Sequence, residues 1–434
     1  MNSIYFALFS PIFLLFPCYN KNILNSKNEV KEMLQTMWER LETYYDEMVE
    51  IRRYLHQYPE LSFTEHKTAQ YIISFYEKLG IHVTGNVGGN GVVAKIEGGK
   101  PGKTVAIRAD FDALPIQDEK EVPYKSKIPG VMHACGHDGH TATLLILAKV
   151  INEYKEELSG NFVFIHQHAE ESNPGGAKAM IAAGCLENVD VIFGTHLWAT
   201  LPTGTVAYKA GPMMAAADEF KVKIQGQGGH GAQPHKTKDS LVTASQLVIN
   251  LQQIVSRKVN PIHHAVVTVG YLESGNAFNV IADTATLGGT VRTFDLGSQA
   301  LIKEELERVI KGTCYTANST YEFIYDDGYP AVVNHPEETS FLAGCAQTVP
   351  GVLVQESEPE LTGEDFSYYL QHVKGTFFFT GAMPDTNEPT YPHHHPRFDI
   401  NEKAMLIAAK TLCSAAVHYD LSYSKERTNT TINS

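Results

Sequence analysis

Three histidines, one cysteine and one aspartate fall within eight residues, His133-Ala134-Cys135-Gly136-His137-Asp138-Gly139-His140, directly ahead of an apolar helical stretch. Such a cluster is costly to bury unless something binds it. Cys135 and His137 stand two apart and can reach one metal ion from a turn. Thiolate and imidazole suit zinc or a similar divalent ion. A second cluster, Gln167-His168-Ala169-Glu170-Glu171, follows the apolar run 162–165. Ligands and catalytic groups gather at strand ends in open α/β sheets. Adjacent carboxylates in extended chain point apart, so one can hold a metal while the other faces water as a general base. A third piece repeats the pattern, with Gly194-Thr195-His196 after the run 189–193, and a fourth is His393-His394-His395-Pro396. Composition does not single out which of those three histidines binds. One cysteine, several histidines and a glutamate exceed a single tetrahedral site with an open position, which points to two ions. The chemistry expected of such a set is metal-assisted amide hydrolysis.

Those side chains need rigid elements to hold them. From Met33, apolar residues at Leu34, Met37, Leu41, Tyr44, Met48, Ile51 and Leu55 recur at helical steps. A second helix is predicted over 68–79, stopping at Gly80. Short β-type runs at 92–96 and 104–107, a helix over 141–154, a strand at 162–165, an Ala-rich helix near Ala177 and a strand at 189–193 predict a sheet covered by helices. After Gly211-Pro212 the rhythm changes to strand 219–224, helix 240–255, strands 264–271 and 285–293, helix 298–317 and strand 321–325. That β-α-β-β-α-β order is ferredoxin-like. From Pro330 the first rhythm resumes and closes with a helix over 402–420 and a polar tail. The expected fold is therefore α/β: a helix-covered, mostly parallel sheet in two parts, 33–213 and 330–422, with a ferredoxin-like domain, 214–329, inserted between them. Residues 1–32 and 423–434 fall outside both domains.

The chain of 434 residues carries a formal charge of −14, with no basic stripe to engage phosphates, so nucleic acid is not an expected partner. Six scattered cysteines without a C-x-x-C pair fit a reducing compartment rather than a disulfide framework. Residues 4–16 are apolar and of the length of a signal-peptide core. No Lys or Arg precedes them, Pro11 interrupts them, no A-x-A follows, and they are too short to span a bilayer comfortably. The expectation is a cytoplasmic protein with no clear membrane partner. The apolar segment is then either a degenerate anchor or export signal, or lies upstream of a true start at Met33 or Met37.

Taken together, the motifs resemble the aminoacylase, hippurate hydrolase and indole-acetyl-amino-acid hydrolase family of two-metal amidohydrolases, relatives of the zinc carboxypeptidases that carry a dimerisation or lid domain. The matching stretches begin with Arg52-Arg53-Tyr54-Leu55-His56-Gln57-Tyr58-Pro59-Glu60 and Arg108-Ala109-Asp110-Phe111-Asp112-Ala113-Leu114-Pro115. They continue through the Cys135 segment, Glu170-Glu171, Gly194-Thr195-His196 and Gly228-Gly229-His230-Gly231-Ala232-Gln233-Pro234-His235. Asn279-Val280-Ile281, Gly289-Thr290-Val291-Arg292-Thr293-Phe294, Gly363-Glu364-Asp365-Phe366 and His394-His395-Pro396-Arg397-Phe398-Asp399 complete the series, in order from about residue 48 to residue 410. The resemblance implies Cys135, His137, Glu171, His196 and His394 as ligands of two divalent ions, manganese or zinc in the first place, cobalt or nickel as alternatives. It implies Glu170 as general acid/base and Asp112 as the residue that orients a metal-bound histidine. It further implies His230 as stabiliser of the tetrahedral oxyanion. Asn279 and Arg292 would grip the substrate carboxylate, which an arginine fork matches bidentately. The inserted domain would act as lid or homodimer interface.

Two positions depart from the family pattern, which commonly reads Gln-Pro-Ala-Glu-Glu and places Pro after Asn-Val-Ile; this chain has His168 and Ala282 there. Neither change removes a functional group. The expected substrate is a small N-acyl amino acid, cleaved to a carboxylic acid and a free amino acid. A dipeptidase or carboxypeptidase with the same chemistry is the alternative. A binding protein that kept the fold would not need Glu170 beside all five ligands.

Overall fold

The computed structural model describes residues 21–385 and 390–430; the apolar segment 4–16 lies outside them. An eight-stranded sheet runs, in spatial order, His82–Val87, Gly91–Glu97, Ser159–Gln167, Lys100–Asp110, Val191–Trp198, Lys374–Gly381, Thr205–Tyr208 and Leu353–Glu356. Its four central strands are parallel to one another, and the outer pairs include antiparallel neighbours. The mostly parallel sheet covered by helices is thus observed.

Alternation along the strands explains why both sheet faces are covered. Val105, Ile107, Phe162 and Phe164 enter one core, while Ala106, Val163 and Ile165 enter the other. The first core holds the helix His137–Tyr154, which is apolar nearly all round and buried from His137 to Ile151 with few gaps. A helix of that kind belongs inside a protein, and its first turn therefore starts deep in the fold.

The single helical run expected from Met33 is two helices, Lys21–Thr43 and Tyr45–Gln57, broken at Tyr44. The break lets them pack on different partners. Trp38 Nε1 donates to Lys410 O (3.2 Å) on the terminal helix, whereas Tyr45–Gln57 lies against His137–Tyr154. The terminal helix, Lys403–Thr430, extends beyond the expected 402–420 into the supposed polar tail. No helix among the described residues is long and apolar enough to cross a membrane.

Between Gly211 and Asn334 the chain builds a second sheet. Four antiparallel strands lie in the order Ala265–Ser274, Thr284–Thr293, Ala216–Gln225, Thr320–Tyr329. Helices Ser240–Leu251 and Leu296–Thr316 cover one face, enclosing Val222, Ile224, Leu247, Leu287, Ile302 and Leu306. The β-α-β-β-α-β order read from the sequence is realised strand for strand.

Candidate metal centre and acid/base site

The carboxyl ends of the parallel strands converge on one place. Asp110 ends Lys100–Asp110 beside Gln167, the last residue of Ser159–Gln167. His196 lies near the end of Val191–Trp198, opposite Phe379. Against these ends stands the start of the helix His137–Tyr154. Gly136 caps it at φ 96°, a left-handed conformation that glycine adopts without a Cβ penalty. The turn aims Cys135 and His137 at the strand ends.

Of the groups of three donors that result, two share Cys135. Ligand atoms of Cys135, His137 and His196 lie within 4.8 Å of one another, as do those of Cys135, Glu171 and His394. Cys135 Sγ is 3.3 Å from His196 Nε2. Glu171 Oε2 is 3.3 Å from His394 Nε2, and Glu171 Oε1 is 3.7 Å from His137 Nε2. All five expected ligands are thus brought together. Of the three consecutive histidines, only His394 faces Glu171. His393 accepts the Ala199 N–H on Nε2 (3.2 Å), with Nδ1 3.9 Å from Cys135 Sγ, while His395 stacks on Tyr391.

Tautomers are dictated by the neighbours. His137 Nδ1 donates to Asp112, 3.0 Å from its carbonyl and 3.1 Å from Oδ1, which leaves Nε2 as a lone pair. His196 Nδ1 donates to Leu197 O (3.1 Å) and leaves its Nε2 toward Cys135. Ligand histidines are held in this way by their second nitrogen. His137 Nε2 and Glu171 Oε1 are buried and have no hydrogen-bond partner among the described residues. An unsatisfied buried polar atom costs roughly 1–3 kcal/mol. Two such atoms facing each other, within a thiolate, imidazole and carboxylate donor set, fit divalent cations.

The electrostatics agree. Burial alone would lower the His137 pKa, yet Asp110, Asp112 and Glu171 together push it up to about 10. Burial raises the Cys135 thiol, and Glu171 and Glu170 raise it further. Both shifts record an excess of negative charge that a cation would neutralise. Glu170 lies 3.9 Å from His137 Nε2 through Oε2. Burial, followed by Glu364, Glu171 and Asp365, raises its pKa well above the ordinary carboxylate range. A carboxyl group held in this way can accept a proton and return it.

Several residues that shape the site carried no role in the sequence reading. Arg108 is buried and forks between carboxylates. Nη1 is 2.6 Å from Asp110 Oδ2, while Nη2 is 3.0 Å from Glu364 Oε1 and 2.9 Å from Asp365 Oδ1. Asp110 also takes the His140 Nδ1 proton at 2.6 Å, and His140 Nε2 accepts the Leu197 N–H at 2.9 Å, tying two strand ends together. The alternation Arg108, Asp110, Asp112 at the end of an apolar strand was the available signal, since alternate residues share a face. Behind the His137 turn, Arg52 pairs with Asp138 (2.9 Å), Asp399 (2.7 Å) and Glu402 (3.1 Å), which explains the Arg52 motif. His168 is buried beside Gly89 and joins none of the donor groups.

His230, Asn279 and Arg292 lie elsewhere. His230 is exposed on the two-residue strand Gly229–His230, paired with Val280–Ile281, and Gly231 N donates to Asn279 O (2.8 Å). Arg292 is half-buried and donates to Val291 O (3.0 Å). Among the described residues no hydrogen bond or ion pair joins these three to the Cys135 cluster.

Comparison with known proteins agrees with this architecture. Residues 106–418 match the family described as Peptidase family M20/M25/M40. The Bacillus subtilis (strain 168) protein YhaA, named among the amidohydrolases, is 61% identical over 381 residues, covering 88% of this chain and 96% of its own. The N-acyl-L-amino acid amidohydrolase of Geobacillus stearothermophilus is 44% identical over 307 residues, covering 71% and 82%. Thermostable carboxypeptidase 1 of Saccharolobus solfataricus is 38% identical over 396 residues, covering 91% and 98%. Among solved structures, the Bacillus subtilis YXEP protein, described as a dinuclear metal-binding peptidase, superposes with a TM-score of 0.76 at 34% identity, covering 87% of this chain and 99% of its own. The chain belongs to peptidase family M20/M25/M40 and is a hydrolase of its amidohydrolase group.

Proposed function

We propose that the protein hydrolyses the amide bond of small N-acyl amino acids, releasing a carboxylic acid and a free amino acid. The observation that carries this reading is the placement of Glu170, a buried carboxyl group of raised pKa, against two donor groups that share Cys135. Cys135, His137, Glu171, His196 and His394 would hold two divalent ions, manganese or zinc first, cobalt or nickel otherwise. Bound there, the ions would polarise the scissile carbonyl and acidify the attacking water. Glu170 takes the proton from that water and delivers it to the leaving nitrogen. Asp112 keeps the His137 ring in register throughout.

His230 would stabilise the oxyanion, and Asn279 with Arg292 would bind the substrate carboxylate, once the inserted unit closes on the site or a second copy presents it. The exposure of His230 supports delivery from outside the cluster. A homodimer through the inserted unit is supported by the apolar residues it exposes: Leu241, Val242 and Ile249 on one helix, Tyr271 and Leu272 on the edge strand. We assign 33–213 and 330–422 to the catalytic domain and 214–329 to the lid. The cysteines among the described residues are unpaired, which supports a reducing, cytoplasmic setting.

The second reading, a carboxypeptidase or dipeptidase, is favoured by the likeness to thermostable carboxypeptidase 1. Amine release from N-acetyl, N-benzoyl and longer N-acyl amino acids and from plain dipeptides separates the two, assayed after chelation and again with added manganese or zinc. Metal-restored cleavage of the acyl substrates is expected. Cleavage confined to dipeptides would replace this reading with the second, and silence across the panel would overturn both.

A further inference from the structure

The turn that presents Glu170 and Glu171 bends at Ala169, whose φ of 51° lies in the left-handed region that a residue with a Cβ enters only at a penalty. Such a turn persists when its surroundings hold it. Three side chains do so. Glu65 Oε1 accepts the Ala169 N–H at 2.8 Å, and Asp112 Oδ2 accepts the Glu171 N–H at 3.0 Å. Tyr329 donates its hydroxyl to the Glu170 carbonyl at 2.6 Å. Glu65 and Asp112 sit among the elements of the large sheet. Tyr329 reaches it from elsewhere: it is the last residue of Thr320–Tyr329, an outer strand of the four-stranded sheet, and its ring enters the second core of the large sheet.

The backbone of Tyr329 is held from inside that second unit. Pairing with Ala216–Gln225 runs to Asp326↔Glu219 and resumes at Tyr329↔Ala217, so the strand bulges between them. Asp218, fully buried, fills the bulge. Its Oδ1 accepts the Gly328 N–H (3.0 Å) and its Oδ2 the Tyr325 hydroxyl (2.6 Å). Gln299 Nε2, on the helix Leu296–Thr316, lies 3.0 and 2.8 Å from the same two oxygens. Gly328 leaves no slack, since a Cβ there would stand 1.9 Å from Ala217 O. A continuous set of hydrogen bonds thus runs from the covering helix through Asp218 and the bulge to the backbone of Glu170.

We infer that Tyr329 is a positioning residue through which the seating of the four-stranded unit sets the Glu170 carboxylate. The inference rests on Glu170 being the general base. It means that the inserted unit acts on the chemistry from behind, through the backbone of the base, in addition to anything it presents to substrate. A misplacement of about 1 Å in a reacting group can cost on the order of 100-fold in rate, so one hydroxyl at this place carries leverage beyond its own bond.

The test uses the full-length, metal-loaded protein and Tyr329→Phe, which keeps the ring. Three quantities are read: kcat and KM on the best acyl amino acid, metal content, and amide hydrogen exchange over residues 168–172. Expected are a kcat lowered roughly tenfold, KM and metal content unchanged, and faster exchange over 168–172. Asp218→Asn, which leaves the tyrosine hydroxyl in place, is expected to speed exchange in the same segment. Combined with Tyr329→Phe it should add little, as for two members of one network. Exchange unchanged in Tyr329→Phe overturns the inference, and so does faster exchange with an unchanged kcat. Should the wild-type protein cleave no acylated substrate, the proposed function fails instead, and the exchange measurement still decides whether Tyr329 holds the turn.

Discussion

Asp112 and His137 form the closest thing the centre has to a fixed reference: Asp112 Oδ1 lies 3.1 Å from His137 Nδ1. The other oxygen, Oδ2, accepts both the Glu171 N–H and the Ser62 hydroxyl, at 3.0 and 2.7 Å. One carboxylate therefore orients two expected ligands. Partners of this kind typically account for ~10–100-fold in metal affinity. Asp112→Ala is expected to weaken metal binding within that range, as measured by calorimetric titration of the stripped protein. Wild-type affinity would remove Asp112 from the centre.

Glu170→Gln preserves shape and leaves all five expected ligands in place. Metal content should stay at the wild-type level while kcat falls on the order of 100- to 10,000-fold. Near-normal turnover would sink the role given to Glu170.

The three adjacent histidines offer an internal control. His394→Ala and Cys135→Ala should each lower metal occupancy, since both side chains belong to the group with Glu171. His395→Ala should not, because that ring stacks on Tyr391 instead. Elemental analysis of the purified variants decides, and occupancy unchanged in His394→Ala would exclude it as a ligand.

Acid stability should depend on His166. It is fully buried, accepts the Tyr76 hydroxyl on Nε2 (2.8 Å), and burial lowers its pKa from 6.5 to about 3. The folded state therefore keeps it neutral where the unfolded chain binds a proton. Stability is unaffected above pH 6.5 and is lost as pH falls from there toward 3. Between about pH 6.5 and pH 5 the loss is about 2 kcal/mol from this residue. A His166→Gln variant should lose less stability over that interval than the wild type in denaturant titrations; equal losses would refute the assignment.

Val242→Glu and Ile249→Glu place charge on the exposed helix face of the inserted unit. Sedimentation should show a dimer for the wild type and a monomer for the double variant. If a second copy supplies His230, kcat falls with dissociation; a monomer of full activity would mean that His230 is delivered within one chain.

The elements of the second sheet were legible because its four strands run ten residues each and are bounded by polar turns, although the helix expected over 240–255 is broken into Ser240–Leu251 and Gln253–Arg257. The expected ligands were legible for a different reason. Glu171 and His196 follow apolar runs and Cys135 stands just ahead of one, where an unpaired polar group would be costly. What stayed hidden needed distance in sequence to vanish. Arg108 meets Glu364 and Asp365, and Tyr329 meets Glu170, only because the fold brings segments far apart in sequence together. Local pattern carries no trace of such pairings. The same holds for Tyr44, where an apparently continuous helix breaks in two.

Lys374–Gly381 lies between Val191–Trp198 and Thr205–Tyr208, strands made long before it. The chain as far as Tyr329 thus lacks the strand that lies between them, together with His394 and the two acids that face Arg108. The donor group of Cys135, Glu171 and His394 therefore comes together only once the chain beyond Gly381 has been made, so its assembly is as late as the closing of the sheet.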